Sequence, residues 1–219
     1  MKSVVIKIGV ACLALLALIP AARTQRSETM SLKEIFKGDF LIGAALNRRQ
    51  FSEQDSRGGP IIKTHFNSIT AENQLKWQYV HPLPAKFDFE GADRYVEFGA
   101  KYGMFIVGHT LVWHRQTPDW VFQDANGKLV DRETLLNRLR EHIHTVVGRY
   151  KGRINGWDVV TEALDEDGSL RHTPWGDIIG DDFIEKAFEF AHAADPAAEL
   201  YYNDYNLWKP AKRDAAIRI

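Results

Sequence analysis

Glu162 ends an apolar segment in a position that suits chemistry. Residues 155–162 read Asn-Gly-Trp-Asp-Val-Val-Thr-Glu, so a run rich in β-branched side chains ends on a carboxylate. A run of this length between two helical patterns predicts a parallel strand that is covered on both faces. In a barrel of parallel strands, the loops at the carboxyl ends form the concave surface where reactions take place. From this segment alone, an ordinary loop glutamate is an equally good interpretation.

Polar and aromatic side chains also follow three other predicted strands. They are Glu72, Asn73, Lys76 and Trp77 after the second strand, His109, Trp113 and His114 in or after the third, and Asn203, Asp204 and Tyr205 in the fifth. Sugars carry many hydroxyls, which bind carboxylate, amide, lysine and histidine groups, and apolar C–H faces, which pack on Trp and Tyr rings. The set, repeated at one end of the strands, predicts a carbohydrate site.

The segments that must position these side chains alternate between strand and helix. Apolar runs predict strands at residues 40–47, 65–72, 104–112, 155–162 and 199–206. The third strand is expected to deliver His109, Trp113 and His114 to the loop that follows it. The sequence between the strands predicts a helix with Pro60 near its first turn, a helix over residues 92–102 closed by Gly103, a long helix capped by Asp131, a helix from Asp181 or Asp182 to Asp195, and a last helix over residues 210–219.

The order of these elements predicts an α/β fold with a parallel sheet and crossover helices. The long helix supports this prediction, because Leu135, Leu139, Ile143 and Val147 recur every four residues and form one apolar stripe. An open doubly wound sheet is the second choice, since no glycine-rich phosphate loop follows any predicted strand.

The first 22 residues predict a secretory signal peptide. Lys2 and Lys7 precede an uncharged stretch, residues 8–22, that ends Ile-Pro-Ala-Ala before Arg23. This stretch is shorter than the roughly 20 apolar residues of a membrane span. Cleavage after Ala22 would also remove Cys12, the one cysteine of the chain. The protein is therefore expected to be secreted, extracellular or periplasmic, with a polar linker over residues 23–30 and one domain over residues 31–219.

Composition argues against polyanionic partners and allows ligands that stack on aromatic rings. The formal net charge of the chain is −1, so nothing attracts nucleic acid or another polyanion. Six Trp residues are enough for stacking surfaces, although most of the aromatic side chains are expected in the core. His142 and His144 face different ways on one helix and are interpreted as packing or surface residues, and no metal or cofactor site is predicted.

Four motifs, taken in order, resemble glycoside hydrolase family ten, the endo-β-1,4-xylanases. They are residues 67–73 with Lys76-Trp77, residues 108–114 with 116–120, residues 157–163, and residues 201–206. The resemblance implies a (β/α)8 TIM-type barrel that cleaves xylan with retention of configuration. It implies that Glu162 is the general acid/base, that Glu72, Asn73, Lys76, His109 and Trp113 bind sugar on the glycone side, and that Asn203 and Tyr205 lie near the aglycone. An ion pair with Lys76 is the alternative interpretation of Glu72.

The chain departs from the family pattern in two places. Thr161 stands where the family has an Asn that donates a hydrogen bond to the 2-hydroxyl of the cleaved sugar. The family's nucleophile is a Glu at the end of strand seven, and only five strands are predicted here. The chain is therefore expected to be the amino-terminal part of a catalytic domain, an incomplete barrel with about five of eight βα units.

Three functions fit these observations. The first is a retaining endo-1,4-β-xylanase whose nucleophile strand is absent from this chain, acting as a monomer on xylan or xylo-oligosaccharides. The second is a catalytically inactive carbohydrate-binding remnant of a xylanase. The third is a related barrel that acts on cellulose or mixed glucans.

Overall fold

The computed structural model describes residues 30–219. The predicted signal peptide and residues 23–29 of the predicted linker lie outside the described residues. Within residues 30–219, no helix is both long and apolar enough to cross a membrane.

Five parallel strands form one sheet in the order β1-β2-β3-β4-β5. The strands are β1 Gly43–Leu46, β2 Ser68–Ala71, β3 Phe105–Trp113, β4 Gly156–Thr161 and β5 Glu199–Asn203. The helices are α1 Leu32–Ile35, α2 Arg48–Phe51, α3 Gly58–His65, α4 Trp77–Val80, α5 Glu90–Lys101, a 3₁₀ turn Asp119–Val121, α6 Arg132–Arg149, α7 Pro174–Ile179, α8 Phe183–Ala194 and α9 Pro210–Arg218. The predicted alternation of strand and helix is confirmed.

Several predicted boundaries were wrong. Phe40 and Leu41 were assigned to the first strand, yet they precede it and are 56% and 50% exposed. His65 ends α3 rather than starting β2. The third strand runs Phe105–Trp113, one residue further than predicted, and His109 lies within it and is not delivered to the following loop. The short helices α1, α2, α4 and α7 were not predicted.

The longest helix formed as its sequence predicts. The Asp131 side chain accepts a hydrogen bond from the Thr134 N–H at 2.8 Å and caps α6. Leu135, Leu139, Ile143 and Val147 are all fully buried. Each such side chain contributes about 1.5–3 kcal/mol by leaving water, and α6 packs against α8 and α7.

A glycine in β3 makes room for the indole of β4. Trp157 is fully buried, and a Cβ added at Gly108 would lie 2.2 Å from its ring. We therefore expect Gly108→Ala to lower the free energy of unfolding by about 1–3 kcal/mol. Gly148 in α6 is the control, because a Cβ there meets nothing within 4 Å. Gly148→Ala should raise the free energy of unfolding by roughly 0.4–1 kcal/mol. Urea unfolding of Gly108→Ala and Gly148→Ala measures both changes, and equal changes in the free energy of unfolding would contradict the prediction.

Two buried histidines stack beside Trp77. His142 is 0% exposed and its ring lies 3.7 Å from that of Trp77. His81 Nε2 donates to the carbonyl of Pro84 at 3.3 Å, so its Nδ1 accepts from His142 Nδ1–H, also at 3.3 Å. This leaves His142 Nε2 without a partner among the described groups. Both rings are therefore held neutral, and His144 on the same helix is exposed.

The histidine pair predicts that the protein loses stability in mild acid. Burial lowers the pKa of His142 well below its usual range, and burial also lowers the pKa of His81. Below pH about 6.5 these two histidines bind protons in the unfolded chain but not in the folded chain. The free energy of unfolding therefore falls by up to about 1.4 kcal/mol per histidine for each pH unit. Urea unfolding between pH 7 and pH 5 measures this slope. His142→Phe should reduce the slope, whereas His144→Gln should leave it unchanged; a slope unaffected by His142→Phe would contradict the assignment.

Candidate active site

The carboxyl ends of the five parallel strands meet at one edge of the sheet, which we call the carboxyl rim. Glu72 directly follows β2, Trp113 ends β3, Glu162 directly follows β4 and Asn203 ends β5. Asn73 and Lys76 lie between β2 and α4, and Tyr205 follows β5. The predicted set therefore shares this rim, with His109 further inside β3 and Thr161 as the last residue of β4.

Glu162 has an unusual backbone. Its φ is +56°, in the left-handed region that a Glu seldom adopts. Such a conformation costs about 1–3 kcal/mol and persists only where the surroundings impose it. The Glu162 N–H donates to the carbonyl of Asn203 at 2.8 Å, and Arg171 Nε donates to the carbonyl of Glu162 at 3.1 Å. The residue is therefore held from β5 on one side and from its own loop on the other.

The Glu162 carboxylate is oriented by Trp113. Trp113 Nε1 donates to Glu162 Oε2 at 3.1 Å. The Trp113 carbonyl in turn accepts from Trp175 Nε1 at 3.1 Å and from the Thr117 hydroxyl at 2.8 Å. These two bonds hold the Trp113 backbone, and the Trp113 indole in turn orients the Glu162 carboxylate.

Lys76 connects Trp113 to the amides after β2. Its ammonium group lies 4.8 Å from the centre of the Trp113 ring, and it donates to Asn73 Oδ1 at 3.2 Å and to Gln116 Oε1 at 2.8 Å. Burial lowers the pKa of Lys76, while the charges of Glu162 and Glu72 oppose that change. No ion pair joins Glu72 to Lys76 among the described side chains, and Glu72 is exposed. Its carboxylate therefore stays open to solvent.

His109 is held by a buried carboxylate. His109 Nδ1 lies 2.8 Å from Asp158 Oδ2, and the side chains are 18% and 9% exposed. Since a carboxylate only accepts, Nδ1 carries the proton and Nε2 remains for another partner. Asn203 Nδ2 approaches the same Asp158 oxygen at 3.5 Å, so Asp158 connects the third and fifth strands across the fourth.

Thr161 has no hydroxyl proton to offer a ligand. The Thr110 hydroxyl donates to the carbonyl of Asp158 at 2.9 Å, so it accepts at its oxygen from the Thr161 hydroxyl at 2.8 Å. Thr161 is 3% exposed. The Thr161 hydroxyl therefore makes a buried hydrogen bond within the protein.

Tyr205 stands at the opposite side of the rim from Lys76. It is 44% exposed, and its hydroxyl accepts from Arg171 Nη2 at 3.2 Å. Arg171 also binds the carbonyls of Glu162 and Leu164 and forms an ion pair with Asp165 at 2.9 Å. Glu162 and Tyr205 thus share one guanidinium group.

The rim is an open surface and not an enclosed pocket. Around Trp113 and Glu162 the enclosed space is only about 10 Å³. A cavity of about 760 Å³ lies elsewhere, between the loop after β4 and the helices α8 and α9, and no predicted site residue lines it. Within residues 30–219, no cluster of three or more His, Cys, Asp or Glu side chains is placed to hold a metal ion.

Comparison with known sequences decides the family. Residues 31–219 match the profile of glycosyl hydrolase family 10. The chain belongs to glycosyl hydrolase family 10. The resemblance drawn from the four motifs is thereby confirmed.

The relatives most similar to this chain include xylanases. The chain is 47% identical over 208 residues to endo-1,4-beta-xylanase A of Xylanibacter ruminicola, covering 95% of this chain and 56% of that protein. It is 48% identical over 194 residues to a beta-1,4-xylanase of Dictyoglomus thermophilum, covering 88% and 52%. The chain spans about half the length of these relatives.

Solved family 10 structures share the fold. An endoxylanase retrieved from a sugarcane soil metagenome is 44% identical, with a TM-score of 0.81, over 86% of this chain and 56% of that one. A xylanase of Paenibacillus barcinonensis, solved with a conduramine derivative, is 46% identical with a TM-score of 0.81 and the same coverage. The five parallel strands with their helices are thus part of a (β/α)8 barrel, as predicted, and the sheet is open within the described residues.

The sequence did not identify three residues of this candidate site. Gln116 binds Lys76, Asp158 binds His109, and Arg171 binds Glu162. Gln116 and Asp158 lie inside the motifs that carried the resemblance, so their polar character in those segments was a usable indication. Arg171 belongs to a loop between strands, and nothing in the sequence indicated its contacts.

Proposed function

We propose that this chain carries the acid/base part of a retaining endo-1,4-β-xylanase, which hydrolyses internal β-1,4 linkages of xylan. The observation that carries the proposal is the bond from Trp113 Nε1 to the Glu162 carboxylate, with the Lys76 ammonium over the same indole. One aromatic ring thereby joins the carboxylate to the sugar-binding side chains after β2. The xylanase relatives support the same substrate.

Retention requires two carboxyl groups about 5–5.5 Å apart. In our proposal Glu162 donates a proton to the leaving glycosidic oxygen and then removes a proton from the attacking water. The nucleophile is a Glu on a seventh strand, outside the 219 residues of this chain. Family membership and the five described strands support this division.

The remaining side chains of the rim have distinct proposed roles. Glu72, Asn73 and Lys76 bind hydroxyls on the glycone side, His109 Nε2 binds a hydroxyl near the cleaved bond, and the Trp113 ring walls the glycone. Asn203 and Tyr205 lie on the aglycone side. Gln116 and Asp158 hold Lys76 and His109 in place.

We further propose that the protein is secreted through its amino-terminal segment and acts as a monomer. Export suits a polymer that does not enter cells. Detection of a mature protein outside the cytoplasm, with its amino terminus near residue 23, tests this proposal; a protein retained in the cytoplasm would contradict it.

Release of reducing sugar from xylan by the purified chain tests the assignment. In a form of the protein that contains the nucleophile strand, we expect turnover on xylan and none on cellulose or mixed glucans. The 219-residue chain alone should bind xylo-oligosaccharide without releasing sugar, and Lys76→Met should weaken that binding while Lys209→Met should not. Turnover by this chain alone would refute the absence of the nucleophile. Binding without turnover in every form of the protein would favour a carbohydrate-binding remnant.

Thr161 is expected to limit the rate. Its hydroxyl is bonded to Thr110 and offers no proton to a sugar 2-hydroxyl, a contact that strengthens in the transition state and belongs to effects worth several kcal/mol. We expect Thr161→Asn to raise kcat at least tenfold, about 1.4 kcal/mol, with a smaller change in KM.

Thr161→Val is the matched control for this prediction. It has nearly the same shape and removes only the internal hydrogen bond, so it should cost about 1 kcal/mol of stability and leave kcat/KM unchanged. No gain in kcat/KM from Thr161→Asn in an enzyme of normal stability would refute the prediction.

A further inference from the structure

Lys212 of α9 is buried although its side chain is charged. Its exposure is 0%, as is that of the Asp204 side chain, and its Nζ lies 2.8 Å from Asp204 Oδ1. The same Nζ lies 3.9 Å from the centre of the Tyr205 ring and 3.9 Å from Glu166 Oε1. A buried ammonium is costly unless it is paired. The pair therefore fixes α9 to the segment that follows β5.

A chain of hydrogen bonds leads from this pair to the residue after Glu162. The Tyr202 hydroxyl donates to Asp204 Oδ2 at 2.5 Å. The same hydroxyl oxygen accepts from the Ala163 N–H at 3.1 Å. Burial and the Asp204 carboxylate raise the pKa of Tyr202, so its hydroxyl stays protonated and can donate and accept at once. Lys212 and Asp204 thus act on the peptide group that follows Glu162.

This peptide group matters because Glu162 has a left-handed backbone. Arg171 Nε and the Asn203 carbonyl hold the two sides of Glu162 itself, and Tyr202 holds the next N–H. If the last contact is lost, the chain can relax toward an ordinary conformation and turn the carboxylate away from Trp113.

We propose that Lys212 and Asp204 are positioning residues for Glu162. The ion pair orients the Tyr202 hydroxyl, the hydroxyl holds Ala163, and the carboxylate stays within reach of Trp113 Nε1. The same pair places the Tyr205 ring over Lys212. The meaning of this geometry for catalysis rests on the proposed xylanase function, but the geometry itself is measurable without turnover.

The indole N–H of Trp113 reports where the carboxylate is. In the 219-residue chain labelled with nitrogen-15 tryptophan, the six indole groups give separate proton resonances, and Trp113→Phe identifies one of them. Glu162→Gln should shift the Trp113 resonance, because the acceptor of this N–H is the Glu162 carboxylate. Lys212→Met should also displace this resonance from its wild-type position, and adding Glu162→Gln to Lys212→Met should move it little further. The resonance of Trp157, buried in the core, should remain in place and report an intact fold.

Two further variants make the test decisive. Tyr202→Phe breaks the same series of hydrogen bonds at its middle while the ion pair stays intact. It should therefore displace the Trp113 resonance in the same way, even if Lys212→Met does not fold. Lys209→Met removes an exposed neighbour that pairs with Glu166 and should change nothing. A folded Tyr202→Phe or Lys212→Met variant whose Trp113 resonance keeps its wild-type position would overturn the proposal. Absence of xylan turnover would count against the proposed function and leave this result untouched.

Discussion

Glu162→Gln is expected to lower kcat on xylan by about 10²–10⁴-fold. The amide cannot donate a proton to the leaving oxygen or remove one from water, so both chemical steps lose their acid or base. Its oxygen can still accept from Trp113 Nε1, whose bond to the carboxylate is 3.1 Å long, and the site should keep its shape. The loss should therefore fall on kcat, with KM for xylan little changed or lowered. Steady-state kinetics in the form of the protein that hydrolyses xylan measures it.

The leaving group separates proton donation from a general loss of structure. An aryl xyloside with a strongly acidic phenol needs little protonation as it departs, so glycosylation by Glu162→Gln should be nearly normal on that substrate. The later attack of water still needs a base, and a burst of released phenol should precede slow turnover. Glu166→Gln, four residues later in an exposed loop, is the control and should behave like the wild type. Equal losses on xylan and on the activated substrate would refute the acid/base role.

The periodic parts of this fold were predictable from the sequence. The stripe of Leu135, Leu139, Ile143 and Val147 specified α6, since burial along one face follows the helical period. The shared rim followed from the parallel order alone, because strands that all run one way end at one edge. Strand ends were less predictable, since an apolar residue such as Phe40 does not reveal whether the sheet or solvent lies beside it.

The finer geometry of the site depends on contacts between distant segments. The pairing of β3 with β4 shifts its register between His109 and Val112, and the apolar pattern of the strand does not indicate that shift. Glu162 adopts a positive φ without being Gly or Asn, the types that favour that region, so composition could not indicate it. Arg171 and Tyr202 act on the backbone at Glu162, and no pattern in the sequence encodes that pairing.

Trp77→Ala is expected to lower the free energy of unfolding by about 3–5 kcal/mol. Trp77 is 2% exposed and stacks on His142 at 3.7 Å. Its Nε1–H has no partner among the described groups, so the loss comes from packing and from the cavity that remains. Trp208→Ala removes the same side chain from a position that is 75% exposed and should change stability by no more than about 0.5 kcal/mol. Urea unfolding followed by far-UV circular dichroism compares the two, and similar losses would contradict the burial argument.

The effect of Trp77→Ala should also reach the carboxyl rim. The Trp77 ring lies 5.5 Å from that of Trp175, whose Nε1 donates to the carbonyl of Trp113. Lys76, which directly precedes Trp77 at the start of α4, places its ammonium over the Trp113 ring. A cavity at Trp77 therefore loosens both supports of the indole that orients Glu162. In the folded variant below its unfolding transition, we expect weaker binding of xylo-oligosaccharide and a displaced Trp113 indole resonance, whereas Trp208→Ala should leave the Trp113 resonance unchanged. If the Trp77→Ala variant binds xylo-oligosaccharide as the wild type does and its Trp113 resonance is unchanged, the core and the rim are independent.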